Sequence, residues 1–228
     1  MQPLLLLHGA IGSMDQFTEL KKALADYYTI YSINFSGHGG LPIVEKDFSI
    51  KLFADDVLTF LEKNNIEKIN IFGYSMGGYV GMYLAKNYPD KINKLATLAT
   101  KFNWNEKTAE KESRMLNAEK IEEKLPAFAQ ALAERHRPQD WKFVLHKTVQ
   151  LLLQIGTDNP LKLPDYNSIQ LPVKLMLGDR DKMVSLDETI QVYQALPNAQ
   201  LCILPSTAHP IEAVDTGRLA YAIRDFMN

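Results

Sequence analysis

Short apolar runs of four to eight residues alternate along this chain with longer stretches of helical period, and no other feature restricts the fold as strongly. A strand, a helix and a second strand that follow one another in this way join one sheet through a parallel crossover. The pattern therefore predicts an α/β fold: a mostly parallel sheet of about six strands, flanked by helices. Strands are expected at residues 3–7, 28–34, 68–73, 92–98, 173–177 and 200–204. Helices are expected at 14–25, 50–64, 76–87, 186–195 and 215–226, the third stopped by Pro89.

Between residues 101 and 165 the alternation stops. Roughly a third of this stretch is charged, and Leu, Met, Phe and Ala recur in it at helical intervals. Pro126, Pro138, Pro160 and Pro164 divide it into four short helices. The expected organisation is one sheet domain formed by residues 1–100 and 166–228, with a helical cap or lid at 101–165.

Composition narrows the partners. A formal net charge of −2 over 228 residues supplies no basic footprint for nucleic acid and no polybasic patch for a membrane surface. No run reaches the roughly 18 to 20 apolar residues of a membrane span, and Leu4 to Leu7 lacks the flanks of a cleavable leader. Cys202 stands alone, which excludes an internal disulfide and fits a reducing, cytoplasmic setting. Its place in an apolar strand makes it a small core residue. The expected partner is a small-molecule substrate. Oligomeric state is not legible.

The chemistry is concentrated in Gly73-Tyr74-Ser75-Met76-Gly77, followed by Gly78, between a strand-like run and a helical one. Glycines there permit a turn too tight for side chains, and the turn lifts the serine hydroxyl into the open. A serine needs a histidine base, and the base needs a carboxylate to fix its tautomer. Three of the five histidines follow Ser75: His136, His146 and His209. The first two lie in the charged stretch and are read as solvated helix residues. His209 follows the last strand at the edge where a parallel sheet collects its ligands. The acid is sought in Gly178-Asp179-Arg180-Asp181, where Asp181 is preferred and Asp179 is assigned to a turn or to Arg180. The backbone N–H groups of Met76 and Ala10 are the candidate donors for an oxyanion. His8 is expected to be structural or to line the pocket.

With these residues in place, the chain resembles the α/β-hydrolase superfamily over essentially its whole length. His8-Gly9, Gly73-x-Ser75-x-Gly77-Gly78, Gly178-x-x-Asp181 and the late His209 fall in that family's order. The resemblance implies a Ser75, Asp181, His209 triad and a cap at 101–165. The sequence starts almost directly at the strand before His8-Gly9, so the family's antiparallel first strands are expected to be missing. Asn34-Phe35-Ser36-Gly37-His38-Gly39 stands where many members carry Asp-x-x-Gly-x-Gly. A serine nucleophile separates the chain from the dehalogenase and epoxide-hydrolase branches.

The expected function is hydrolysis of a small to medium carboxylic ester through an acyl-enzyme, with no metal or organic cofactor. Phe102, Trp104, Met115, Phe128, Trp141 and Phe143 are the expected pocket residues. The same groups could support thioester hydrolysis, hydrolytic carbon-carbon cleavage, cofactor-free haloperoxidase activity, or a ligand-sensing role without turnover.

Overall fold

The computed structural model describes residues 1–43 and 45–228. Strand β1 (Gln2–Leu7) leads through a 3-10 turn (Met14–Phe17) into α1 (Thr18–Leu24) and β2 (Tyr28–Ile33). Then come α2 (Ile50–Lys63), β3 (Ile69–Tyr74), α3 (Met76–Asn87) and β4 (Ile92–Leu98). Four helices follow without a strand: α4 (Glu106–Met115), α5 (Ala118–Lys124), α6 (Pro126–His136) and α7 (Trp141–Thr157). The chain closes with β5 (Val173–Gly178), α8 (Leu186–Ala195), β6 (Ala199–Leu204) and α9 (Thr216–Met227).

The six strands form one sheet in the order β2-β1-β3-β4-β5-β6, and every adjacent pair is parallel. The expected sheet is thus found, with all six strands in one direction. In β1 the side chains alternate between two cores: Leu5 and Leu7 pack with α2 and α3, while Leu4 and Leu6 pack with α1 and α9. All four leucines are fully buried, each worth about 2 kcal/mol on area alone. A strand covered on both faces reads as a continuous apolar run, as β1 does. β3 repeats the device, with Ile69 and Ile71 facing one core and Phe72 and Tyr74 the other.

The helix expected at 14–25 is split. The Thr18 hydroxyl donates to the Asp15 carbonyl at 2.7 Å, and the Met14 N–H donates to Asn34 Oδ1 at 2.7 Å. These bonds compete with the α-helical ladder and tie the first turn to the loop after β2. The inserted helices form a small core of their own from Ile121, Leu132, Trp141 and Leu145, against which Ile11 of the β1 loop packs.

Because the strands are parallel, the loops after β1, β3, β5 and β6 all emerge at one edge. β1 lies between β2 and β3, so the crossovers leave it in opposite directions and a crevice opens beyond its carboxyl end.

Candidate active site

Ser75 sits between β3 and α3 with φ 50° and ψ −116°, a conformation that side-chain-bearing residues adopt only under constraint. The surrounding contacts supply that constraint. The Ser75 N–H donates to the Leu98 carbonyl at 2.8 Å, and the Thr100 hydroxyl donates to the Ser75 carbonyl at 3.1 Å. A Cβ on Gly77 would lie 2.2 Å from the Leu7 carbonyl oxygen, and one on Gly73 would lie 2.5 Å from that of Gly77. Only glycine lets α3 start this close to β1 and β3.

His209 and Asp181 come from different loops. His209 Nδ1 lies 2.8 Å from Asp181 Oδ2, while Asp181 Oδ1 accepts the Met183 and Val184 N–H groups at 2.8 and 2.9 Å. Burial pushes the Asp181 carboxyl up, but the hydrogen bonds from His209, Val184 and Met183 outweigh it and hold the group below its ordinary value. An ionised carboxylate can only accept, so Nδ1 carries the proton and the Nε2 lone pair is free. The Tyr74 hydroxyl donates to the His209 carbonyl at 3.1 Å and steadies the loop from below.

The two loops meet because Gly178 has no side chain: a Cβ there would lie 2.1 Å from the Thr207 carbonyl oxygen. Asp179 fastens the seam, accepting the Thr207 N–H at 3.2 Å with Arg180 Nε 3.9 Å away. Both roles expected of Asp179, in the turn and beside Arg180, are present.

Ser75 and His209 face one cavity of about 350 Å³, together with Ala10 and Met76. Among the described residues the His209 ring hydrogen-bonds Asp181 alone, so serine and imidazole share the cavity without a direct bond. The Ala10 and Met76 N–H groups have no backbone acceptor among the described residues. Gly9 and Ala10 share a trans peptide, whose N–H and carbonyl point in opposite directions. His8 Nδ1 lies 2.8 Å from the Gly9 carbonyl, and its Nε2 accepts the Phe35 N–H at 3.1 Å. Burial lowers the His8 pKa to about 4, so the ring is neutral and its Nδ1 proton fixes the Gly9 carbonyl. The Ala10 N–H is thereby aimed the other way.

The inserted helices supply the opposite wall. Trp104, Met115 and Phe128 line the cavity as expected, joined by Leu151, Leu152 and Ile155 of α7. Phe102, Trp141 and Phe143 do not. Phe102 is buried against Tyr166, with ring centroids 5.8 Å apart, and lines a separate groove. Trp141 is enclosed in the core of the insertion, and Phe143 points outward from α7. Helical phase turns Phe143 away from the wall formed by Leu151, Leu152 and Ile155, whereas Trp141 shares their side of α7 but sits about three turns nearer its start, in the core of the insertion. His146 is exposed, as expected of a solvated helix residue. His136 is not: it is fully buried at the seam between α6 and the β1 loop.

The fold and the site define a class. Residues 2–154 match the family model described as alpha/beta hydrolase fold, and the chain belongs to that family. Among individual proteins it is similar to Lipase 3 of a Moraxella species, 26% identical over 252 residues that span 98% of this chain and 78% of that one. In structure it is similar to a meta-cleavage product hydrolase from Pseudomonas fluorescens, with a TM-score of 0.81 and 17% identity over 100% of this chain and 91% of that one. A thermophilic esterase from Thermogutta terrifontis gives a TM-score of 0.78 at 20% identity, covering 100% of this chain and 89% of that one. At these identities the structural likenesses show the fold.

Proposed function

We propose that the chain is a serine hydrolase acting on small to medium carboxylic esters, with Ser75 as nucleophile, His209 as base and Asp181 as the group that orients the base. The observation that carries this is the imidazole held at 2.8 Å by an enclosed carboxylate, with its free nitrogen on the cavity that Ser75 enters. Substrate entry brings Oγ and Nε2 to hydrogen-bond distance, as often happens when an empty site fills.

His209 Nε2 takes the hydroxyl proton as Ser75 Oγ attacks the ester carbonyl carbon. Charge on the carbonyl oxygen is held by the Ala10 and Met76 N–H groups and by the amino end of α3. The intermediate collapses, the carbon-oxygen bond to the alcohol breaks, and Nε2 returns its proton to that oxygen. Water, deprotonated in turn by Nε2, attacks the acyl-enzyme and releases the acid, restoring Ser75. The inserted helices act as a cap that shapes an apolar slot for the acyl chain, which favours an ester over a charged substrate. The Moraxella relative, named a lipase, is consistent with this substrate class.

Turnover of short p-nitrophenyl esters, and labelling of Ser75 by a fluorophosphonate, test the proposal. Ser75→Ala is expected to lower kcat by about 10⁴- to 10⁶-fold and to abolish labelling. Failure of the folded wild-type protein to label at Ser75 overturns the proposal.

A further inference from the structure

The loop that carries Ala10 is held from two sides, and only one of them belongs to the sheet domain. On the near side His8 fixes the Gly9 carbonyl, which also accepts the Gly12 N–H at 3.1 Å. On the far side the carbonyl of Ile11 meets the last turn of α6. His136 Nε2 lies 3.1 Å from it, and Arg135 donates to the same oxygen at 3.1 Å. The other ring nitrogen of His136 accepts the Gly39 N–H at 3.2 Å. That acceptor role places the ring proton on Nε2, where it can only donate to Ile11.

Ile11 needs this support. Its φ is 51°, the left-handed region that a β-branched residue enters only when its surroundings force it. Its side chain packs on the core of the insertion formed by Leu132, Trp141 and their neighbours. Gly39 and Gly40 complete the seam, for a Cβ on Gly40 would lie 2.4 Å from the Arg137 carbonyl oxygen. The imidazole is not a spare metal ligand, since both of its nitrogens are engaged.

We propose that His136 is a positioning residue for the oxyanion loop: its Nε2–H holds the Ile11 carbonyl, keeps Ala10 aimed at the substrate oxygen, and so makes the rate of acylation depend on the seating of α6. This rests on the assignment of Ala10 and Met76 as oxyanion donors. Full burial of the ring, with the His38 ring 5.7 Å away, makes a change of rotamer costly and the orientation definite.

Two side chains separate the two bonds of the ring. His136→Gln reaches the Nε2 position and keeps a donor for Ile11, whereas His136→Asn keeps an acceptor for Gly39 and loses that donor. His136→Phe removes both and preserves ring volume. Each variant is assayed with short p-nitrophenyl esters, per active site titrated by fluorophosphonate, so that unfolded protein is not counted. A trifluoromethyl ketone, which forms a tetrahedral adduct on the serine, reports the oxyanion site separately. The Asn and Phe variants are expected to lose about 10- to 100-fold in kcat with KM within about threefold, since displaced donors cost this much. Their affinity for the ketone should fall by a similar factor, and Gln should recover most of both losses. Equal kcat in the Asn and Gln variants, or a loss confined to KM, overturns the inference while leaving the serine mechanism intact. A wild-type protein that neither turns over esters nor labels at Ser75 overturns the mechanism and this inference together.

Discussion

Asp181 and His209 are 28 residues apart in the chain and belong to two different loops, yet their side chains meet at 2.8 Å with the carboxylate wholly enclosed. The contact depends on β5 and β6 lying side by side and on Gly178 letting the loop at Thr207 close down on it. Since Asp181 is already held by two backbone N–H groups, it can orient the imidazole without moving.

Replacing that carboxylate tests its role directly. Asp181→Asn preserves shape but offers Nδ1 an amide, and the ring is expected to adopt the wrong tautomer. A fall in kcat of about 10⁴-fold at pH 7, with KM nearly unchanged, is the expected result in ester assays. A variant within tenfold of the wild type would remove Asp181 from the mechanism.

The tight elbow has a structural consequence of its own. Gly77→Ala forces a methyl group to within 2.2 Å of the Leu7 carbonyl oxygen, a contact that only backbone displacement relieves. Destabilisation of about 3 kcal/mol is expected from urea unfolding, with loss of Ser75 labelling in the fraction that stays folded.

Buried histidines make the fold sensitive to acid. Burial lowers the pKa of His8 and His136 to about 4 each, and that of His38 well below its ordinary value. The unfolded chain, with histidines near 6.5, takes up protons between about pH 6.5 and pH 4 that the folded chain refuses. Stability from these groups is therefore complete above about pH 6.5 and is lost as pH falls toward 4. For His8 and His136 the loss between pH 7 and pH 5 is about 2 kcal/mol each. Urea midpoints measured across this range should show the decline, with a shallower slope in His136→Gln.

Chain-length selectivity should respond to the far wall of the cavity. Leu152, on α7, is nearly buried and faces the space above Ser75. Leu152→Trp is expected to lower kcat/KM for octanoyl esters by about 10-fold or more while leaving acetyl esters within threefold. An equal loss on both substrates would place the acyl chain elsewhere.

Much of this was legible without coordinates, for reasons specific to the residues. The run Leu4 to Leu7 reads as a doubly covered strand because helices bury both of its faces, and Ser75 stands out because a glycine-flanked serine between a strand and a helix has few other uses. Gly178 reads as part of a turn, but its part in joining two loops depends on Thr207, which local pattern does not connect to it. Tyr74 and Thr100 gave no signal beyond apolar and small polar residues in or beside strands. Phe102 and Trp141 are expected at the pocket on chemistry alone, but the loop after β4 packs Phe102 against Tyr166, and Trp141 lies at the start of α7, in the core of the insertion.

The sequence by itself determined the order of strands and helices, the glycine-flanked serine elbow and the three residue types that could act together, because each is a matter of local sterics or of periodic burial. Only the tertiary structure decided which aromatic side chains face the cavity, that the charged insertion buries His136, and that this ring reaches the Ile11 carbonyl across 125 residues of chain. Such contacts are fixed by how separate elements pack against each other. Neighbouring residues carry little record of that packing, since many side chains satisfy the same helical period and only one arrangement fills the shared core.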